Sequence, residues 1–406
     1  MIALLPPEAY SLDLSRWKHV TDALGRGDNP YITTERLNYA PLWLQCLYFA
    51  HLISDWVSLS VHNLIQLFLT IGDALLIMML WTVGRHFIKN SQLLTLLFWG
   101  FALNPTTLLL TVQHGNFDVL FMVFVLLALD RLHHAHKGCF TEPTNWLLAC
   151  FLVGVGILTK TIPIVLIPLL CLGARDLEVR VLLFGGLLLF GPAAYGMSII
   201  FSLAPVATME KVLQYRGIPG YFGLSGALVM GNQVEILNAY IRLFPLFLFG
   251  LLAGLTGMLY FNKLNLPAFR DKVVFSTLAL MFVPVFGSGY GPQYIMWFLP
   301  LLLLVYPGAH RYLRAAIVVF FVISLATFAV EYALLPSHGA FAINWLGIRD
   351  LIPTAISLYK RTNQFVLRLP MFICCLTLFV LLLDDLRRFA PLYSSKGKPE
   401  MMVELR

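Results

Sequence analysis

Charge is scarce in this sequence. Asp, Glu, Lys and Arg make up 12% of its 406 residues, against about 25% in soluble domains. Mean hydropathy is +0.79 and 59% of residues are hydrophobic. These values exclude an ordinary soluble domain and point to an integral membrane protein. Cysteine pairs are also missing. The six cysteines (Cys46, Cys139, Cys150, Cys171, Cys374, Cys375) lack CxxC spacing and sit mostly in or beside apolar runs, so free thiols are expected and no disulfide framework. No Walker A loop, HExxH, GxSxG or dinucleotide fingerprint stands in a credible context. Residues 1–10 lack a basic start and contain Pro6-Pro7, which is not the pattern of a signal peptide. Internal repeats, heptads and low-complexity linkers are absent too.

What is present is a series of apolar runs, several near the roughly 20 residues that span a bilayer. They lie at 61–84, 92–104, 116–131, 146–160, 161–173, 180–202, 237–260, 273–288, 294–308, 314–335 and 364–384. The expected fold is an all-α, polytopic transmembrane helical bundle of about ten to twelve spans, several short or broken. Residues 1–384 form one domain, and 385–406 a charged cytoplasmic tail. Within it, residues 1–40 lack a spanning run. Leu12, Leu14, Trp17, Val20 and Leu24 recur near helical spacing between charged residues, which predicts an amphipathic helix lying on the outer membrane face. Gly25 is placed to stop it, and Gly27-Asp28-Asn29-Pro30 reads as a turn. Residues 41–58 carry His51 and Asp55 and are marginal in length. Basic residues concentrate in one set of short loops, as the positive-inside pattern requires. The net charge of +7 follows from that and calls for no nucleic acid.

Residues 104–118 interrupt the apolar pattern most sharply. Gln113, His114, Asn116 and Asp118 crowd into about one and a half turns around Gly115. A membrane interior penalises uncompensated polar groups. The stretch therefore reads as a helix break opening on a polar cavity, its side chains bonding a polar substrate or supporting a second carboxylate, or as a polar knot satisfying backbone freed at a broken helix. Asp13 is a surface carboxylate able to take a proton from a hydroxyl, or else a helix-capping Asp. Lys160, between Thr159 and Thr161, suits a phosphate or snorkels to the surface. Tyr215 and Arg216 open a glycine-rich loop over 213–226, either a cover with a phosphate-binding guanidinium or an interfacial aromatic loop. Gln293 and Tyr294 begin a helix facing the same side, or belong to an aromatic belt. Asp73 suits a structural hydrogen bond. His133, His134 and His136 read as a solvated face, with no carboxylate or cysteine completing a ligand set nearby.

In order and in their shared side, these residues resemble the GT-C class of membrane glycosyltransferases, mannosyltransferase-like members in particular. The stretches concerned are Asp13-Leu-Ser-Arg-Trp-Lys, Gly27-Asp-Asn-Pro-Tyr31, Tyr39-Ala-Pro-Leu42, Asp73, Asn104-Pro105 ahead of Gln113-His-Gly-Asn-Phe-Asp118, Thr159-Lys160-Thr161 and Gln293-Tyr294-x-x-Trp297-x-x-Pro300. The resemblance implies transfer of a hexose, mannose first, from a polyprenyl-phosphate-linked donor to a hydroxyl of a glycan or glycolipid acceptor. Transfer would invert the sugar and face the non-cytoplasmic side of a bacterial inner membrane or an internal membrane. It implies Asp13 as general base, with Gln113, His114, Asn116, Asp118, Lys160, Tyr215, Arg216, Gln293 and Tyr294 binding substrate. No cofactor is required and a divalent metal is optional. The family's spanning helix ahead of the first outer loop has no counterpart here, and Asp22, Asp28 and Glu35 are rivals to Asp13. A polytopic transporter or lipid-carrier flippase is the competing class; it should show inverted repeats and polar groups on both sides of the midplane, and neither pattern is in the sequence.

Overall fold

The computed structural model describes residues 12–34, 37, 39–108, 110–111, 114–135, 142–171, 223–260, 266, 268–289, 291–334 and 368–389. Among them there is no strand, and the regular structure is helical throughout. The all-α expectation is met. Four helices are long and apolar enough to cross a membrane: α3 (Val61–Gly84), α8 (Val234–Tyr260), α11 (Arg311–Leu334) and α12 (Leu369–Phe389). Around them stand α1 (Leu12–Gly25), α2 (Pro41–Val57), α4 (Ser91–Ala102), α5 (Asp118–Ala135), α6 (Glu142–Thr159), α7 (Gly223–Met230), α9 (Phe269–Phe286) and α10 (Leu299–Val305). Of the other expected runs, those at 92–104, 146–160 and 294–308 form shorter apolar helices. The run at 161–173 is short and broken between a 3-10 segment, Ile162–Leu166, and a single turn, Ile167–Leu170. Residues 180–202 lie outside the described residues.

The helices divide by what covers them. In α5 apolar residues surround the axis, and Phe121, Met122, Val125, Leu126 and Leu129 are all buried, so it forms the centre of the bundle, with α3 and α6 packed along it. The approach of α3 is close at Gly72, where a Cβ would come within 2.7 Å of Leu120; a small residue there lets two backbones meet. By contrast α8 leaves Leu246, Phe247 and Phe249 exposed, and α11 does the same with Val318, Val319 and Val322. Such a contiguous apolar exterior would drive association in water; against acyl chains it is the natural outer face.

The N-terminal helix is amphipathic as its spacing predicts. Leu14, Trp17, Val20 and Leu24 are buried, while Lys18, His19 and Asp22 are exposed. The helix ends at Gly25. The next turn is capped by Asn29, whose side chain accepts from the Tyr31 amide at 3.0 Å. The buried Tyr31 hydroxyl then donates to the Tyr39 carbonyl at 2.7 Å, which fixes the chain's entry into α2. The other end of the chain departs from the expected boundary: helix α12 continues to Phe389. Asp385, placed in the tail by its charge, is buried and accepts from Arg270 Nη2 at 2.7 Å. The same guanidinium nitrogen donates to the Gly308 carbonyl at 3.0 Å. A carboxylate with an internal cation belongs to the bundle, whatever its sequence neighbours suggest.

Candidate functional site

The break at 104–118 begins with Asn104, whose side chain accepts from the Thr106 amide at 2.9 Å, an Asx turn that lets the chain leave α4. It ends at Gly115, where φ is +74°. A side chain there would be strained by the backbone alone, and its Cβ would meet Leu14 of α1 at 2.7 Å. The Gly115 carbonyl accepts from Trp17 Nε1 at 3.1 Å. Trp17 lies edge-on to Trp43, Tyr39 and Phe117, and Phe117 stacks on Trp43 at 4.5 Å. This aromatic knot fastens α1 over the break. Gly115→Ala should cost about 1–3 kcal/mol of stability, read as a lower thermal midpoint in detergent. Adding Leu14→Ala should not restore the midpoint, since the backbone strain persists and truncating the buried Leu14 itself costs about 2–5 kcal/mol.

Two carboxylates meet at this break, one from α1 and one from the start of α5. Asp13, in the first turn of α1, lies 3.0 Å from His114 Nε2 and 3.3 Å from Arg16 Nη1. Burial would push its carboxyl up, but the charge and hydrogen bond of His114, with the positive charges of Arg16 and Lys160, outweigh that and hold it below the ordinary carboxylate range. Asp13 is therefore ionised at neutral pH although only 15% of its side chain is exposed. Its native carboxyl is the stronger acid. Its contribution to stability is thus complete above the unfolded value near 4 and is lost as pH falls through the lower folded value.

Asp118 begins α5 and is wholly buried. One oxygen is paired with Lys160 Nζ. The other accepts from Trp297 Nε1 at 2.7 Å, and the Asp118 amide donates to the Asn116 side chain at 3.0 Å. Asn116 also reaches the Gln293 carbonyl, at 3.5 Å. The Lys160 ammonium stands over three aromatic faces, Tyr294 at 4.6 Å, Trp297 at 5.1 Å and Phe117 at 5.4 Å. Lys160 therefore does not snorkel; it is an internal cation with an internal partner. Tyr294 and Trp297 stack at 4.2 Å and are buried, so they are walls of the site and not a lipid-facing belt.

Seven residues singled out from sequence thus come together: Asp13, His114, Asn116, Asp118, Lys160, Gln293 and Tyr294. Gln113, Tyr215 and Arg216 lie outside the described residues, as does Glu35. Of the other rivals to Asp13, Asp22 is exposed and Asp28 pairs with Arg26 at 2.9 Å in the turn after α1. Asp73 accepts from the Thr111 hydroxyl at 3.1 Å, the structural bond expected of it. Trp17 and Trp297 were not among the candidate site residues, though each donates an indole N–H that holds the break in place. Only the spacing of Trp297 from Gln293 hinted at it.

The geometry provides a shielded anion, Asp13, beside an imidazole. Close by are a second anion already neutralised by an ammonium and the buried rings of Tyr294, Trp297 and Phe117 around that ammonium. No family model matches the chain, and no curated protein matches it.

Proposed function

We propose that this chain is an inverting, multi-pass membrane hexosyltransferase of GT-C type, which moves a sugar, mannose first, from a polyprenyl monophosphate to an acceptor hydroxyl on the non-cytoplasmic face. The observation that carries this reading is the largely buried Asp13 carboxylate held against His114, with Arg16 and Lys160 near enough to lower its pKa. Asp13 takes the proton of the acceptor hydroxyl, whose oxygen attacks the anomeric carbon from the face opposite the phosphate. The bond from that carbon to the phosphate oxygen breaks, and the phosphate leaves with the electron pair. Lys160 has three ammonium protons and uses one on Asp118, which leaves donors for the departing oxygen. Placing fixed charge where charge develops is often the largest catalytic term. Asn116 and Gln293 orient the sugar, Tyr294 and Trp297 supply stacking faces, and Arg216 adds a second cation for the phosphate. A monophosphate balanced by one or two cations makes a divalent metal optional. The exposed apolar flanks of α8 and α11 suit an environment of lipid, including the donor's tail.

The test uses purified full-length chain in detergent with a short-chain polyprenyl-phosphate hexose and a panel of glycan and glycolipid acceptors. Glycoside product of inverted anomeric configuration is expected. Neither transfer nor donor binding across a panel of hexoses would overturn the reading, and energy-dependent movement of intact lipid-linked sugar between leaflets without bond cleavage would favour a flippase.

A further inference from the structure

The inferred site lies at the other end of α5. Asp118 to Asp130 is twelve residues, a rise of about 18 Å, so the end of α5 bearing Asp130 is well removed from the cluster just described. There Asp130 and His134 stand one turn apart on α5, on one face, and His86 reaches them from the turn that follows α3. Asp130 Oδ1 is 2.7 Å from His86 Nε2 and 3.7 Å from His134 Nε2. All three ligand atoms lie within 4.8 Å of one another.

His133 was expected on a solvated face with its neighbours. It is instead buried and stacked on His86 at 4.0 Å, with Phe269 against both rings. His134, with 36% of its side chain exposed, keeps the solvated character expected of it, and His136 lies outside the described residues. The carboxylate that a ligand set needs is Asp130, in the same helical turn as His134.

We infer that His86, Asp130 and His134 form a binding site for a zinc-class divalent cation. Several features converge on this. Two imidazoles and one carboxylate suit zinc and its neighbours, whereas magnesium and calcium prefer oxygen throughout. Three protein ligands leave a fourth position for water. Ligand atoms bound at about 2.0 Å in a tetrahedron lie roughly 3.3 Å apart, so the observed spacings need a slight opening of the His86–Asp130 pair and a slight closing toward His134. Arg131 Nη2 holds the second carboxylate oxygen, Oδ2, at 3.1 Å, which leaves Oδ1 turned to the imidazoles. Hydrogen bonds of this kind orient ligating carboxylates in metal sites. The stacked His133 and the edge of Phe269 fix the His86 ring. The carbonyl ends of α3 and α5 both terminate here, and that end of a helix favours positive charge. Bound metal would tie the end of α3 to the end of α5 and would act independently of glycosyl transfer.

Untagged full-length chain, stripped with chelator, is dialysed against zinc, and metal is counted per chain. Cobalt then serves as a spectroscopic probe. One equivalent is expected, with the intense visible absorption of a tetrahedral cobalt site and a raised thermal midpoint on adding zinc. Loss of an outer partner already costs about 10–100-fold in affinity, so His134→Ala and Asp130→Asn should each weaken binding at least about a hundredfold. The chain has ten histidines, so the contrast with the variants is what identifies the site. His134 is at the rim, and its variant decides the matter even if Asp130→Asn fails to fold. No retained equivalent, or equal retention in His134→Ala, would overturn the inference and leave a hydrogen-bonded His–Asp cluster.

Discussion

Asp13→Asn should lower turnover by about 10²–10⁴-fold, the usual contribution of a positioned acid or base, while leaving expression intact and lowering the thermal midpoint only modestly, because the amide gives up the charge pairing with His114 and Arg16. The amide keeps the shape of the carboxylate and can still meet His114. Asp13→Glu should restore part of the rate, because it returns an anion at the cost of position. The pH profile supplies a second readout. The unprotonated carboxylate is the active form, so the rate falls as pH drops through its folded value. Since His114, Arg16 and Lys160 together hold that value below the ordinary one near 4, kcat/KM should show no carboxylate limb between pH 5 and 7. Undiminished transfer by Asp13→Asn would remove the assignment.

The second large effect is on stability. Asp118 is fully buried and Lys160 is 12% exposed. Breaking a buried ion pair by removing one partner costs about 3–5 kcal/mol, because the other charge is left without compensation. Lys160→Ala and Asp118→Ala should therefore each unfold the site end of the bundle at markedly lower temperature. The double replacement Lys160→Met with Asp118→Leu should cost less than either single change, while still abolishing transfer. Thermal midpoints of the detergent-solubilised chain measure all three. Equal and additive losses would show that the two groups do not depend on each other.

These two effects also mark what could be read in the sequence and what could not. The helical class and the amphipathic α1 were legible, because periodicity and composition are local: Leu14, Trp17, Val20 and Leu24 all face inward as their spacing predicts. The break at 104–118 was legible because polar residues at membrane depth are costly and so conspicuous. Which partner each polar residue takes was not legible, since partners meet across the chain. His114 reads from the sequence as a substrate contact or as support for a carboxylate, and only the fold shows that the carboxylate is Asp13. Lys160 was seen as a phosphate ligand or a snorkelling side chain, and its internal bond to Asp118 is what decides against snorkelling. Trp297 stands in the stretch that carries the resemblance, but an indole near a membrane face usually marks the interface, and only its Nε1 partner tells otherwise. At the other end of α5, three nearly adjacent histidines are the conspicuous pattern in the sequence, whereas Asp130 and His134, one turn apart, meet His86 from the turn after α3. The tail boundary was misplaced because Asp384, Asp385, Arg387 and Arg388 look like solvent-exposed charge, yet Asp385 turns inward to Arg270.

The indole bond to Asp118 joins residues 179 positions apart, and the bond from Trp17 to Gly115 joins residues 98 apart. Contacts of such long range form late, because the intervening loop must be closed before they give anything back. In order of synthesis Asp118 and Lys160 both come before Tyr294 and Trp297, which complete the wall around them. A nascent chain halted before residue 297 thus presents a polar notch to lipid.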